Sequence, residues 1–289
     1  MVEGLARFFS SLRTRPGILA RAALGTPAPD DAELADALAR RLEAELRSDG
    51  SVGGAALPTA WRVHELLDLG RAPGHPRVQR ALDWLFERQG RPGAFGDGCD
   101  RARHAHRACE HWVRGFFAPA PPGERLAPIT LPNGKAFRAE PAARFALSCL
   151  ALRAAIRAGG ATRAVVVLHL ESLRDLAEGW SDWNGYYAPD TIVAGLHALA
   201  LGGPRYAGAV EALVSLVLSH QRVHGLWLNA DPFATVEALS ATGLADARTV
   251  VRRAVRELLE RQRPDGSFGA TAREERALIV LRGAVWAGA

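Results

Sequence analysis

The sequence predicts an all-α fold of six helical hairpins that close into one ring. The unit LLERQRPDGSFG (Leu258–Gly269) joins a helix end, a Pro-Asp-Gly turn and an aromatic plug, and related units occur along the chain. Their turn glycines are separated by roughly 41 to 46 residues. A hairpin of that length cannot bury its apolar face alone, so successive hairpins must stack. The glycines are Gly50, Gly93, Gly134, Gly179, Gly225 and Gly266.

The repeat resembles the QW-type repeat of the squalene/terpenoid cyclase and protein prenyltransferase superfamily. Other copies read WLFERQGRPGAFG (Trp84–Gly96) and SHQRVHGLWL (Ser219–Leu228), and the resemblance covers about residues 31–289. It implies an (α/α)6 toroid, in which outer helices surround inner helices that ring a central cavity. It also implies cyclase or prenyltransferase chemistry on an isoprenoid or another apolar substrate.

Composition excludes several classes of partner. The net charge of +5 comes from arginines that alternate with acids along helices, as in Val251–Arg263, which is typical of solvated helix faces and argues against nucleic-acid binding. Cys99, Cys109 and Cys149 form no disulfide framework. No apolar run reaches the length of a membrane span, and the first residues lack a signal-peptide pattern, so we expect a cytoplasmic protein.

Residues 1–25 are predicted to form one extra helix, separate from the six hairpins of the ring. Leu5, Phe8, Phe9 and Leu12 form a helical stripe that we expect to pack against the outside of the ring. The alternative is peripheral contact of Leu5–Leu12 with a membrane or a partner. Pro16-Gly17 is expected to break this helix.

The remaining elements alternate between outer and inner helices. The predicted outer helices are Asp31–Arg47, Pro76–Gln89, Ala161–Ala177, Pro204–Gln221 and Ala245–Gln262. The predicted inner helices are Pro58–Leu69, Asp100–Phe117, Pro141–Gly159, Pro189–Leu201, Pro232–Thr242 and Thr271–Val285. Prolines forbid a helix over Ala118–Pro132, so a loop replaces the third outer helix and offers a lid or a surface for a partner protein.

The second inner helix carries the highest density of reactive side chains, within Cys99–Trp112. Asp100, His104, Arg107 and His111 share one helix face. Asp100 would orient His104 for acid–base catalysis, with His111 beside them. The alternative is that Asp100 only caps the helix.

The same segment supplies the only zinc hypothesis. Cys99, Asp100, His106 and Cys109 are the ligands if a metal binds, because His and Cys one helical turn apart converge on one ion. We predict no cofactor, with zinc as the alternative. The prenyltransferase D-x-C motif is not met, since Cys99-Asp100 is adjacent and reversed. The cyclase motifs D-x-D-D and D-D-x-x-D and the Cys-His pair of lanthipeptide cyclases are also absent.

Acids begin the predicted inner helices two to five: Asp100, Glu140, Asp190 and Asp231. Helix capping is sufficient to explain them. Because inner-helix N-termini share one rim of a ring, the carboxyls would also converge there. An apolar wall would raise the pKa of such an acid, so Asp190 and Asp231 are candidate proton donors.

Aromatic and polar residues outside the packing pattern are candidate substrate contacts. Arginines on three successive inner helices would suit a diphosphate or carboxylate, and polar residues on apolar helices either pair across the ring or face a wet cavity. These candidates are Trp61, Arg62, Arg107, Trp112, Arg144, Trp183, Tyr186, Tyr187, His197 and Glu237.

The sequence therefore predicts a cyclase- or prenyltransferase-like enzyme with a largely apolar central cavity. The alternative is a non-catalytic toroid that binds an apolar ligand, a peptide or a partner protein. A zinc-dependent toroid that acts on a peptide is the third hypothesis. Fold alone does not decide among them.

Overall fold

The computed structural model describes residues 2–89, the backbone of 96–97 and 113–114, and residues 126–181, 183 and 189–289. In these ranges the chain is helical, apart from two short antiparallel strand pairs. The helices are α1 (Glu3–Phe9), α2 (Arg15–Ala23), α3 (Asp31–Ala44), α4 (Ala56–Asp68), α5 (Pro76–Glu87), α6 (Glu140–Ala155), α7 (Ala164–Ala177), α8 (Pro189–Leu201), α9 (Ala207–Ser219), α10 (Pro232–Ala241), α11 (Ala245–Glu260) and α12 (Arg273–Ala287).

The inner ring consists of α4, α6, α8, α10 and α12, each packed against the next, and α2 lies between α12 and α4. The outer helices α7, α9 and α11 contact one another behind it. Each of the six helices α2, α4, α6, α8, α10 and α12 follows another helix in the chain. The described residues therefore form six helical pairs. The predicted (α/α)6 architecture is confirmed.

The N-terminal segment differs in detail from the prediction. Pro16 does not break a helix there but lies at the start of α2, where the Thr14 side chain accepts a hydrogen bond from the Gly17 N–H at 3.3 Å. Proline is favoured in the first helical turn because its missing N–H has no partner there. Leu5 and Phe9 are fully buried, so this stripe packs against the protein and does not supply a membrane-binding face.

Short strands mark the second departure from the predicted helices. β1 (Gly96–Asp97) pairs with β2 (Val113–Arg114). The helix predicted over Asp100–Phe117 is therefore interrupted by a strand at Val113 and Arg114. The β2 strand packs on α6. The remainder of that predicted helix lies outside the described residues.

A hairpin of β3 (Ile129–Thr130) and β4 (Ala136–Phe137) precedes α6. Its turn has the same hydrogen bonds as the repeat turns: the Gly134 N–H donates to the Leu131 carbonyl, as the Gly266 N–H donates to the Arg263 carbonyl. The degraded repeat at Gly134 therefore keeps its turn, although the prolines in the sequence before it predict a loop in place of its outer helix.

The repeat turns carry the predicted plugs and caps. Phe268 and Trp227 are buried, and the Trp227 indole N–H donates to the Val217 carbonyl at 2.9 Å. Asp265 accepts hydrogen bonds from both the backbone and the hydroxyl of Ser267. No helix in the described ranges is long and apolar enough to cross a membrane.

Gly266→Ala tests the close packing of the last repeat turn against α1. Gly266 has φ +86°, and an added Cβ would lie 2.7 Å from both the Gly4 carbonyl oxygen and the Phe8 Cβ. We expect a loss of about 1 to 2 kcal/mol from the left-handed backbone, plus about 1 to 3 kcal/mol from the overlap. The free energy of unfolding in urea measures both.

Gly70→Ala is the matched control, because Gly70 has φ +88° and open space around its Cβ position. It should show the backbone cost alone. Equal losses in the two variants would contradict close packing between α1 and the turn.

Candidate functional site

The described residues of the inner ring enclose two spaces. The larger, here called the central cavity, has a volume of about 430 Å³ and is lined by residues of α2, α4, α6, α8, α10 and α12. The smaller, the small compartment, has about 40 Å³ and lies between the β3–β4 hairpin and α6, α8 and α10. Arg153, His197 and Glu237 line both spaces, and we call them the polar layer.

The polar layer joins three successive inner helices. Arg153 Nη2 of α6 lies 3.5 Å from Glu237 Oε1 of α10, and His197 Nδ1 of α8 lies 3.9 Å from Glu237 Oε2. Burial, with the charge of Arg153, lowers the pKa of His197 well below its usual range. The imidazole is therefore neutral at pH 7, and its contact with Glu237 is not an ion pair.

Arg153 has an unused hydrogen-bond donor. Its Nε is buried and has no hydrogen-bond partner, and desolvation lowers the pKa of this guanidinium. A buried donor without a partner costs about 1 to 3 kcal/mol. A ligand oxygen or a rotated Glu237 carboxylate would satisfy it.

A second network follows the wall of the central cavity. Arg157 Nη1 donates to His64 Nδ1 at 2.8 Å, and Arg157 Nη2 donates to Asp68 at 2.6 Å. Because a guanidinium only donates, the His64 Nδ1 must be unprotonated and its Nε2–H donates to the Leu150 carbonyl at 3.1 Å. Burial, with the charges of Arg153 and Arg157, lowers the pKa of His64 well below its usual range.

Arg15 bridges the two sides of the ring at α2. Its guanidinium pairs with Asp68 of α4 and Glu275 of α12 and lies 4.9 Å from the centre of the Trp61 ring. Burial raises the pKa of Glu275, against the opposing charge of Arg15. Arg15 and Glu275 also border a further cleft of about 600 Å³, which is lined mainly by residues of α2, α3, α4 and α12.

The predicted rim carboxyls meet at the N-terminal ends of α8 and α10. Asp231 Oδ1 caps α10 by accepting the N–H groups of Phe233 and Ala234, each at 3.0 Å. Asp190 accepts the Asp231 N–H at 2.7 Å and pairs with Lys135 of the hairpin. Burial raises the pKa of Asp231, and the Asp190 charge adds to this effect.

Asp231 thus has the predicted direction of pKa shift, but it also has the capping role. It lines neither inner space, whereas Asp190 lines the small compartment. Glu140 of the same rim accepts the N–H groups of Leu126 and Ala127 at 3.0 and 2.7 Å. Most of the rim acids are therefore held by backbone donors.

The structure places some of the predicted substrate contacts in the central cavity and others outside it. Trp61 lines the central cavity with His197 and Glu237. Arg62 points away toward α3, where it binds the Leu42 carbonyl at 2.6 Å and Glu45 at 2.9 Å. Helix periodicity alone does not show which flank of an inner helix faces the cavity, so the prediction for Arg62 is wrong.

Arg144 and Trp183 also differ from the prediction. Arg144 pairs with Glu140 at 2.6 Å, one turn earlier on α6. Trp183 is fully buried, stacks on His220 with ring centres 5.4 Å apart, and donates to the Leu228 carbonyl at 3.0 Å. The Arg144 guanidinium is thus paired within α6, and Trp183 packs against the end of α9 and the turn that follows it.

The predicted second inner helix and the tyrosine pair stay predictions. Cys99, Asp100, His104, His106, Arg107, Cys109, His111, Trp112, Tyr186 and Tyr187 all lie outside the described residues. Within the described ranges, no three His, Cys, Asp or Glu side chains are grouped so that they could hold a metal ion. The zinc hypothesis therefore depends on residues that the structure does not describe.

Sequence reasoning assigned no role to Arg153, Arg157, Lys135 or His64. Signals existed: Arg153 and Arg157 are one turn apart at the end of an apolar helix, and Lys135 is the only lysine of the chain. Charged groups line the central cavity beside an apolar wall. Among the described residues, that wall consists of Trp61, Leu201, Ala241, Leu278, Ile279 and Trp286.

Comparison with known proteins identifies the fold. No family model and no curated protein matches the sequence. The type II terpene cyclase MstE from Scytonema, in a variant complex with geranylgeranyl dihydroxybenzoate, matches with a TM-score of 0.56 and 16% identity over 99% of this chain and 87% of that chain. The apo enzyme matches at 0.53 and 18% identity, over 89% of this chain and 72% of that chain.

A larger enzyme shares the same fold. The ent-copalyl diphosphate synthase from Streptomyces platensis matches with a TM-score of 0.52 and 18% identity over 99% of this chain. The match covers 51% of that enzyme, so this chain spans about half its length. The chain therefore has the terpenoid cyclase fold that its repeats predict.

His197→Gln and His64→Gln test the buried neutral histidines. Because their pKa values are lower in the folded protein than the ordinary 6.5, the unfolded chain binds more protons and stability falls as the pH drops below about 6.5. Each substitution should reduce this slope between pH 7 and 5, by up to about 1.4 kcal/mol per pH unit.

Urea unfolding at several pH values measures the slope. The exposed His224→Gln is the control and should leave it unchanged. Unchanged slopes in both cavity variants would show that these histidines are protonated in the folded protein.

Proposed function

We propose that this protein is a terpenoid-cyclase-like enzyme that acts on an isoprenoid chain inside the ring by acid–base chemistry. The observation that carries this proposal is the central cavity, whose volume of about 430 Å³ is within the usual range for small-molecule sites. Acid–base groups and aromatic and aliphatic walls meet in it. The likeness to cyclases that act on isoprenoids supports the proposal.

The substrate would lie with its polar end at the open end of the cavity. Arg157 and Arg282 line the cavity and are also exposed, so they mark where it meets solvent. Two guanidinium groups there favour a substrate with an anionic head group, such as a diphosphate or a carboxylate. This pair differs from the cluster predicted from Arg62, Arg107 and Arg144. Arg62 and Arg144 pair outside the cavity, and Arg107 lies outside the described residues.

The apolar tail would extend inward past Trp61 and Ile279 to the polar layer. Trp61 is half-buried in the cavity wall, and an aromatic face in that position stabilises positive charge. Asp100, His104 and His111 remain candidates for a further contribution. No observation on the described residues favours a non-catalytic toroid over an enzyme.

Incubation with geranylgeranyl diphosphate tests the proposal. Cyclisation is an isomerisation, so we expect a product of unchanged mass and altered chromatographic retention after removal of the head group. Arg282→Gln should weaken diphosphate binding about tenfold, because one charge-assisted contact is lost. It should leave the binding of geranylgeraniol, which has no charged head, unchanged.

Arg222→Gln is the control, since Arg222 is exposed on a turn and lines neither inner space. Tight binding without any new product from the wild-type protein would favour the non-catalytic toroid. Equal effects of Arg282→Gln on the diphosphate and the alcohol would contradict an anionic head at this end.

A further inference from the structure

Four carboxyl groups of the described residues line the two inner spaces, and three of them are fully engaged. Asp68 binds both Arg15 and Arg157. Glu275 binds Arg15, and Asp190 binds Lys135 and the Asp231 backbone.

Glu237 is the exception. Its nearest partners are Arg153 at 3.5 Å and the neutral His197 at 3.9 Å, and 36% of its side chain is exposed to the cavity. The Glu237 oxygens are therefore not occupied by short ion pairs and remain accessible to a molecule in the cavity.

Glu237 also lies where polar and apolar surroundings meet. On one side is the central cavity with its charged wall. On the other is the small compartment, whose wall beside the polar layer is mainly apolar: Leu131, Phe137, Ala146, Cys149, Leu150, Val193, Ala194 and Ala234. The end of a hydrocarbon chain that enters from the open end would therefore meet this carboxyl as it reaches apolar surroundings.

We propose that Glu237 is the proton donor of the reaction, with Arg153 and His197 as positioning residues. This inference rests on the proposed function and names the catalytic acid of the same site. The Glu237 carboxyl gives its proton to a carbon–carbon double bond, whose π electrons form the new C–H bond and leave a cation on the neighbouring carbon. A second double bond attacks this cation and closes the ring, and the cyclised cation then loses a proton to water, which restores a double bond. Glu237 regains its proton from solvent, so no oxidant or reductant is consumed.

Arg153 and His197 flank Glu237 at the boundary between the two spaces. Arg153 Nη2 lies 3.5 Å from Glu237 Oε1, so a guanidinium stands beside the carboxylate that proton transfer leaves. The buried Nε of Arg153 has no partner and gives the same guanidinium a further donor.

Glu237 fits this role better than the two acids predicted from the sequence. Asp190 has one oxygen on Lys135 and the other on the Asp231 N–H. Asp231 Oδ1 caps α10, and its side chain lines neither inner space. Neither carboxyl faces a substrate chain in the central cavity.

Glu237→Gln tests the assignment with geranylgeranyl diphosphate as the probe. The amide keeps the size of the side chain and removes the acid, so turnover should fall at least about 100-fold, which is the scale of general acid catalysis. The dissociation constant for the probe should change less than threefold. Glu237→Asp should recover part of the activity, and the wild-type product formed in D2O should carry one deuterium at the protonated carbon.

Three further proteins make the outcome decisive. Glu211→Gln, the same change at an exposed position of α9, should retain full activity. Loss of activity in Asp231→Asn or Asp190→Asn while Glu237→Gln stays within tenfold of wild type would overturn the assignment. Failure of the wild-type protein to convert the probe would instead count against the proposed function itself.

Discussion

Closure of the ring depends on one buried arginine. Arg15 reaches from the start of α2 to Asp68 on α4 and Glu275 on α12, and it is only 7% exposed. These two carboxylates lie 207 residues apart in the sequence, at opposite ends of the repeat series. An uncompensated buried charge costs several kcal/mol, so the three groups hold one another in place. The wall of the central cavity exists because the first and last repeats meet at this point.

The same arrangement determines which charged side chains around the cavity are already paired. Arginines that line the cavity engage Asp68 and Glu275, and burial together with the charges of Arg153 and Arg157 lowers the pKa of both His64 and His197. Asp190 is engaged at the other end by the only lysine of the chain. Between these two ends, among the described residues, the Glu237 carboxyl has only long contacts and the Arg153 Nε–H has no partner. A cavity with many charges thus leaves few reactive groups, because the charges satisfy one another.

Much of the fold followed from the sequence because turns and helix periods are local. The glycine spacing predicted the hairpins, and the proline and acid positions predicted where α8 and α10 begin. The role of α2 did not follow, because Pro16 starts a helix as readily as it ends one. Its membership in the ring is set by contacts with α12 and α4, which lie far away in the sequence.

The candidate site was predicted only in part, for a related reason. His197 and Glu237 were recognisable as polar residues on apolar helices, and both line the cavity. Arg62 and Arg144 satisfied the same criterion but pair with neighbouring residues outside it. A polar residue on a buried helix needs a partner, and the sequence does not say whether that partner is a ligand, water or the next helix.

The β3–β4 hairpin covers the small compartment. It lines this space with Leu131, Asn133, Lys135 and Phe137, where Lys135 is bound to Asp190 and the Asn133 carbonyl accepts from Arg276 at 2.9 Å. On the proposed function, a substrate chain that passes the polar layer would meet this hairpin. The hairpin would then limit how far the leading end of the chain advances, and so which of its double bonds lies beside Glu237.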